Sequence, residues 1–130
     1  MVKIPIYNST VSAGFPSPAD DFIENSIDLN NFLIKNNSST FLVRVKGDSM
    51  IDAAIKTGDI LVVDRSINVS EGKIIIALVD GEFLVKKYHF NKKTQKTFLL
   101  SENSNYKPIE IKDNSDNIIW GIVTSVIRKL

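Results

Sequence analysis

Cysteine is absent from this chain, which excludes disulfides and thiolate-held metal ions. There is one histidine, His89; a single imidazole cannot build a zinc site, and no His-Glu-x-x-His spacing surrounds it. Glycine-rich phosphate loops of the Gly-x-Gly-x-x-Gly or Walker type are also missing. The sequence therefore predicts neither a metal nor any other cofactor. The longest apolar run, Ile74 to Val79, is six residues, far below the roughly 20 that a membrane-spanning helix needs. The opening Met1-Val2-Lys3-Ile4-Pro5-Ile6 lacks the apolar core of a secretory signal, so a cytoplasmic chain with no membrane contact is expected. Excess charge is lacking too: 16 Lys and Arg face 15 Asp and Glu, for a formal net charge of +1. With both signs spread along the chain, strong direct binding to nucleic acid is not expected.

What is present is enough for one domain. At 130 residues the chain can bury a core without covalent staples. Residues 1 to 13 carry Pro5, Asn8, Ser9, Thr10 and Ser12, too little apolar material for a packed element, and read as an extended or mobile arm. Residues 14 to 130 form the domain. Ser17-Pro18-Ala19-Asp20-Asp21 combines an N-cap serine, a first-turn proline and acids against the helix dipole, predicting a short helix to about Ser26. Asp28 can cap a second, from Leu29 to Asn36. From Thr40 onward, short Val- and Ile-rich runs between turn residues predict strands near 40–46, 59–64, 73–79, 82–90, 96–100, 108–112 and 117–127. Asp80-Gly81 between two such runs signals a two-residue hairpin, because both positions tolerate positive φ; Asn91-Lys92-Lys93 and Lys112 to Asn117 read as further turns. The expected class is mostly β, with short helices at its front after an extended arm.

Chemistry is concentrated in a few segments. Lys46-Gly47-Asp48-Ser49-Met50-Ile51 places a serine where a strand meets a turn, and Gly47 permits a tight backbone there. Successive amides at Ser49 and Met50 could then hold an oxyanion. Taken alone, Asp48 and Ser49 read more simply as caps for the stretch Met50 to Ile55. Lys86 lies inside the apolar strand Phe83-Leu84-Val85-Lys86-Lys87, 37 positions after Ser49, and a serine with a neutral lysine is a known nucleophile and base pairing. Strand alternation gives Lys86 the neighbours Leu84 and Tyr88, whose apolar surroundings would lower its pKa. Lowering it from ~10.4 to ~7–8 needs on the order of 4 kcal/mol. Lys87 reads as a solvated charge. His89 falls on the opposite strand face, with no acid clearly placed to orient it, and reads as structural. Asp59, Asp64 and Asp80 do not read as paired catalytic carboxylates, Asp59 after Gly58 and Asp80 before Gly81 being turn residues, and Trp120 reads as core or interface packing. Ala13-Gly14 offers a small-residue peptide bond, stiffened beyond by Pro16 and Pro18; a plain connecting loop is an equal reading of the residues alone.

Three segments in order, Gly14-Phe15-Pro16-Ser17-Pro18-Ala19, Gly47-Asp48-Ser49-Met50-Ile51-Asp52 and Val79-Asp80-Gly81-Glu82-Phe83, resemble the self-cleaving UmuD proteins and the catalytic domain of LexA-type repressors. The resemblance runs from about Ala13 to the last residue. With 13 residues before Gly14, the chain resembles UmuD more than a repressor. That likeness implies a LexA C-terminal-domain-like fold of the β-clip type. It implies Ser49 as nucleophile, Lys86 rather than Lys87 as base, and Ala13-Gly14 as the bond cut. It also implies a homodimer, stimulation by a RecA filament on single-stranded DNA, and a UmuC-type polymerase as partner in error-prone translesion synthesis during the SOS response. A competing expectation is a non-catalytic dimeric module that regulates a polymerase; the presence of both Ser49 and Lys86 argues against it.

Overall fold

The computed structural model describes residues 2–7, 23–112 and 118–130, which fall into two units, 1–35 and 36–130. In the first, strand β1 (Ile4–Tyr7) pairs antiparallel with β2 (Ile23–Ile27), Ile4 standing opposite Ile27. Residues 4–7 of the expected extended or mobile arm are thus a paired strand, and 23–26 are strand rather than the end of a helix. Ile4, Ile6, Ile23 and Ile27 supply β-branched residues, and a partner ladder outweighs weak local preferences. The helix start at Ser17-Pro18 and the Ala13-Gly14 bond lie outside the described residues. Asp28 does cap the next helix, its carboxylate accepting from the Asn30 amide at 3.1 Å. That helix, α1 (Leu29–Leu33), ends earlier than expected, at Ile34 in extended backbone. A sequence carrying Asn30, Asn31 and Asn36 has little helix propensity to extend it.

The second unit is one antiparallel sheet. Its strands are β3 (Thr40–Arg44), β4 (Ile60–Asp64), β5 (Ile74–Val79), β6 (Glu82–Asn91), β7 (Lys96–Leu100), β8 (Ile109–Ile111) and β9 (Ile118–Ile127), in the spatial order β3-β4-β9-β5-β6-β7-β8. These match the predicted strands to within two residues at every end. The β5–β6 hairpin turns on Asp80 and Gly81, with φ of 50° and 82°, the positive values the sequence anticipated. Both faces of the sheet are apolar in the middle. Leu61, Val63 and Ile76 join Val45, Met50 and Ile55 in one buried cluster. Ile75, Ala77, Val79, Leu99 and Ile122 form another. The switch of face between Ile75, Ile76 and Ala77 follows from the period-2 pleat of one strand, β5.

Strand β9 controls the shape of the sheet. Its pairing slips once against β4, between Val62 and Val63, and once against β5, between Ile76 and Ala77, leaving Thr124 and Trp120 as the extra residues. Such bulges bend a strand and increase its twist. The resulting curl is visible in Trp120, whose ring lies 4.7 Å from Phe41 of β3 and 4.8 Å from Phe83 of β6. In a flat sheet, strands four places apart would be separated by roughly 19 Å. Arg65 covers the same indole, its guanidinium carbon 4.4 Å from the ring centre, and its Nε donates to the Trp120 carbonyl at 3.1 Å. Next to the bulge, Gly121 leaves no room for a side chain: a Cβ there would sit 2.5 Å from Val63 Cγ1.

Candidate functional site

Because the sheet curls, the turn after β3 and the middle of β6 open onto one cleft. Its volume is about 200 Å³, and Val43, Val45, Ser49, Phe83, Leu84 and Lys86 are among its lining residues. Ser49 and Lys86, singled out in the sequence as nucleophile and base, therefore share a single depression although they lie on separate elements.

The turn that carries Ser49 is held from three sides. Val45 continues the β3 ladder by donating to Asp59 O at 2.9 Å and accepting from the Gly58 amide at 2.9 Å. Gly47, at φ 102°, then turns the chain in a conformation that costs a residue with a Cβ. Thr57 clamps it, the Gly47 amide donating to Thr57 Oγ1 at 2.8 Å and Thr57 Oγ1 donating back to Gly47 O at 3.1 Å. Met50, 1 % exposed, plugs the turn into the core. A 3-10 turn (Ile51–Ala53) follows, with no side-chain cap. The capping alternative for Asp48 and Ser49 is thus not realised: the Asp48 carboxylate instead accepts from the Tyr106 hydroxyl at 2.6 Å. The Ser49 hydroxyl and the Ser49 and Met50 amides donate to no group among the described residues.

Lys86 is 6 % exposed. Ile75, fully buried, stands directly opposite it in the β5–β6 ladder. Desolvation pushes its pKa below the usual lysine range, since removing water disfavours the ammonium more than the neutral amine. No carboxylate among the described residues pairs with it. Its Nζ donates to Ser101 Oγ at 2.6 Å and lies 5.2 Å from the centre of the Tyr106 ring. Lys87, by contrast, points away to an ion pair with Glu102 at 3.1 Å and keeps 40 % of its side chain exposed. Of the two adjacent lysines, only the first has the environment of a base.

Residues 101–106 tie the two halves of the site together. Ser101 holds Lys86; the Glu102 carbonyl accepts from the Asp52 amide at 2.8 Å; Asn103 Nδ2 donates to Asp48 O at 2.9 Å; Tyr106 holds the Asp48 carboxylate. None of these was singled out in the sequence. Ser101 had one usable signal, the hairpin register: Leu100 pairs with Lys87, so the next residue comes level with Lys86.

The remaining candidates fall elsewhere. His89 does have an acid placed to orient it, contrary to expectation: Nδ1 is 2.8 Å from Glu71 Oε2. The other oxygen of Glu71 accepts from the Phe90 amide at 2.8 Å. Glu71 lies 18 positions upstream, and only the sheet brings it to His89. This pair lines a separate depression with Tyr88 and Lys92 and does not reach the cleft. Asp59 is more than a turn residue: it is 2 % exposed, and Asp64 at the end of β4 is 3 % exposed. Arg128 Nε and Nη2 each donate to Asp59 at 2.6 Å, and Asp64 accepts from Ser66, Ser39 and Asn36. Both carboxylates are fully engaged in structure. Among the described residues there is no His, Asp and Glu grouping able to hold a metal ion and no helix long and apolar enough to cross a membrane.

Residues 5–124 match the family described as Peptidase S24-like. The chain is 37 % identical to the protein MucA of Salmonella typhimurium over 123 residues, covering 94 % of this chain and 82 % of MucA. It is 38 % identical to the protein SamA of Salmonella typhimurium over 125 residues, 96 % of this chain and 85 % of SamA. It is also 33 % identical to the LexA repressor of Anaeromyxobacter dehalogenans over 132 residues, all of this chain and 57 % of that repressor.

Proposed function

Because this chain belongs to the Peptidase S24-like family as a UmuD-like member, we propose that it cuts its own Ala13-Gly14 bond with Ser49 as nucleophile and Lys86 as general base. The observation that carries this reading is the buried, carboxylate-free Lys86 lining the same cleft as Ser49. Neutral Lys86 takes the Ser49 hydroxyl proton as Oγ attacks the Ala13 carbonyl carbon. The Ser49 and Met50 amides hold the oxyanion. The C–N bond then breaks, the Gly14 nitrogen receives the proton from the Lys86 ammonium, and water hydrolyses the Ser49 ester. The substrate is tethered, so its local concentration is high and cleavage of other chains is poor.

A cutter joined to its own substrate must be restrained until needed. If the pose that places Ala13 in the cleft is sparsely populated, a partner that binds that pose better speeds cleavage by shifting the population. A RecA filament on single-stranded DNA is the proposed partner for that step. The trimmed homodimer then serves a UmuC-type polymerase in error-prone translesion synthesis, in keeping with the UmuD-like relatives. Incubating the purified chain at rising pH and weighing the products tests the core of this reading. Loss of residues 1–13 is the expected result; an intact chain at every alkaline pH and with filament present rejects it in favour of a non-catalytic dimeric module.

A further inference from the structure

Among the described residues of the second unit, the three buried ionisable side chains differ in how they are satisfied. Asp59 and Asp64 each accept several hydrogen bonds, as buried charges must. Among the described residues, Lys86 has one hydrogen-bond partner, Ser101 Oγ at 2.6 Å. An ammonium carries three donors, a neutral amine two donors and one lone pair. One acceptor anchors one N–H of the amine and so restricts rotation about Cε–Nζ. The lone pair is then confined to a narrow range of directions.

The geometry points to Ser101 as a positioning residue that aims the Lys86 lone pair at the Ser49 hydroxyl, an inference that rests on the proposed dyad. Ser101 directly follows β7, whose ladder with β6 places it beside Lys86. The same short segment grips the Ser49 turn through Asn103 and Tyr106, so base and nucleophile are referenced to one piece of backbone. Ser101 also acts differentially. Its bond to a neutral N–H becomes a charge-assisted one when Lys86 takes the proton, and such bonds are roughly twice as strong. It therefore assists proton transfer rather than merely binding the resting amine.

The charged surroundings of Lys86 are few. Tyr106 faces it from the 101–106 segment with its hydroxyl committed to Asp48. Arg44 and Lys46 line the cleft on the other side, Glu102 is occupied by Lys87, and β5 opposite contributes only apolar side chains. Removing Ser101 has a distinctive consequence. A hydroxyl that accepts from Nζ favours the ammonium, so its loss lowers the titration midpoint of Lys86 further; general loosening of the site would admit water and raise it.

The test is the pH profile of self-cleavage in Ser101→Ala and Ser101→Thr, together with 15N NMR titration of Lys86 Nζ in a Ser49→Ala background, where nothing is cut. Ser101→Ala is expected to lower the alkaline plateau rate roughly 10- to 100-fold, as for loss of a hydrogen bond to a charged group, and to move the midpoint to lower pH. Ser101→Thr is expected to keep the parent midpoint. A Ser101→Ala midpoint that stays in place or moves alkaline overturns the assignment. So does an unchanged plateau. If the parent chain is never cut, the dyad reading fails on its own, and the NMR titration still decides whether Ser101 tunes Lys86.

Discussion

Arg128 clasps Asp59 with two nitrogens, Nε on Oδ1 and Nη2 on Oδ2, each at 2.6 Å. The same Nη2 donates to the Ala54 carbonyl at 2.7 Å. Residues just after β9 are thereby bound to the turn that follows Ser49. Asp59 is held well below the ordinary carboxylate range, at about 2, chiefly by the Arg128 hydrogen bonds. Asp64 is also lowered to about 2, chiefly by its bonds from Ser66. A depressed folded-state pKa stabilises the fold above the unfolded value near 3.9 and loses that contribution as pH falls toward 2. Stability measured by chemical denaturation should therefore fall steadily between about pH 4 and pH 2. Arg128→Ala should lower the melting temperature more than the pair Arg128→Ala with Asp59→Asn, because the single change strands a buried carboxylate. Equal losses would show that the stranded carboxylate carries no penalty.

Ser49→Ala and Lys86→Ala should each slow self-cleavage by roughly 10³-fold or more, the scale of losing a nucleophile or its base in an acyl-transfer enzyme. Lys87→Ala should be cut at close to the parent rate, since that side chain points to Glu102. Mass spectrometry of timed samples distinguishes these. A Lys87→Ala as slow as Lys86→Ala would contradict the choice between the lysines.

Lys86 should also leave a mark on stability. Its folded-state pKa is lowered by desolvation, so the folded chain resists a proton that the unfolded chain accepts. The penalty is greatest below the folded pKa and vanishes as pH rises past the unfolded value near 10.4. Replacing Lys86 with methionine should accordingly raise the melting temperature at neutral pH, with a gain that shrinks as pH climbs. A gain independent of pH would assign the effect to packing alone.

Gly121 is the packing counterpart. Gly121→Ala drives a Cβ to 2.5 Å from Val63 Cγ1, and Val63 is fully buried. Overpacking of this kind costs about 1–3 kcal/mol. Combining it with Val63→Ala should cost less than the two changes added together, because the new methyl enters the space that valine leaves. Denaturant titration of the four proteins reads this coupling, and strict additivity would place the clash elsewhere.

Much of this molecule is written locally. Short runs rich in β-branched and aromatic residues favour strands, so Ile74 to Val79 and Glu82 to Asn91 announce themselves from composition and the turn between them, and Asp80-Gly81 supplies the backbone freedom their hairpin needs. Lys86 could be told from Lys87 because neighbours on a strand face opposite ways. The pairing of β1 with β2 was hidden: the partners are distant in sequence and each run is short. His89 and Glu71, and Asp59 and Arg128, were hidden for the same reason, since nothing near either residue indicates its partner.

The amino-acid sequence by itself offered the candidates, a serine on a glycine turn and a lysine in an apolar strand, and the resemblance of the segments around them selected that pair. Tertiary structure decided that they line one cleft. Two bulges in β9 curl the sheet until strands four places apart enclose one indole, and that curvature opens a single cleft onto Ser49 and Lys86. Ser101 enters through hairpin register. Burial, curvature and register are sums over contacts between remote parts of the chain, and only the folded whole carries them.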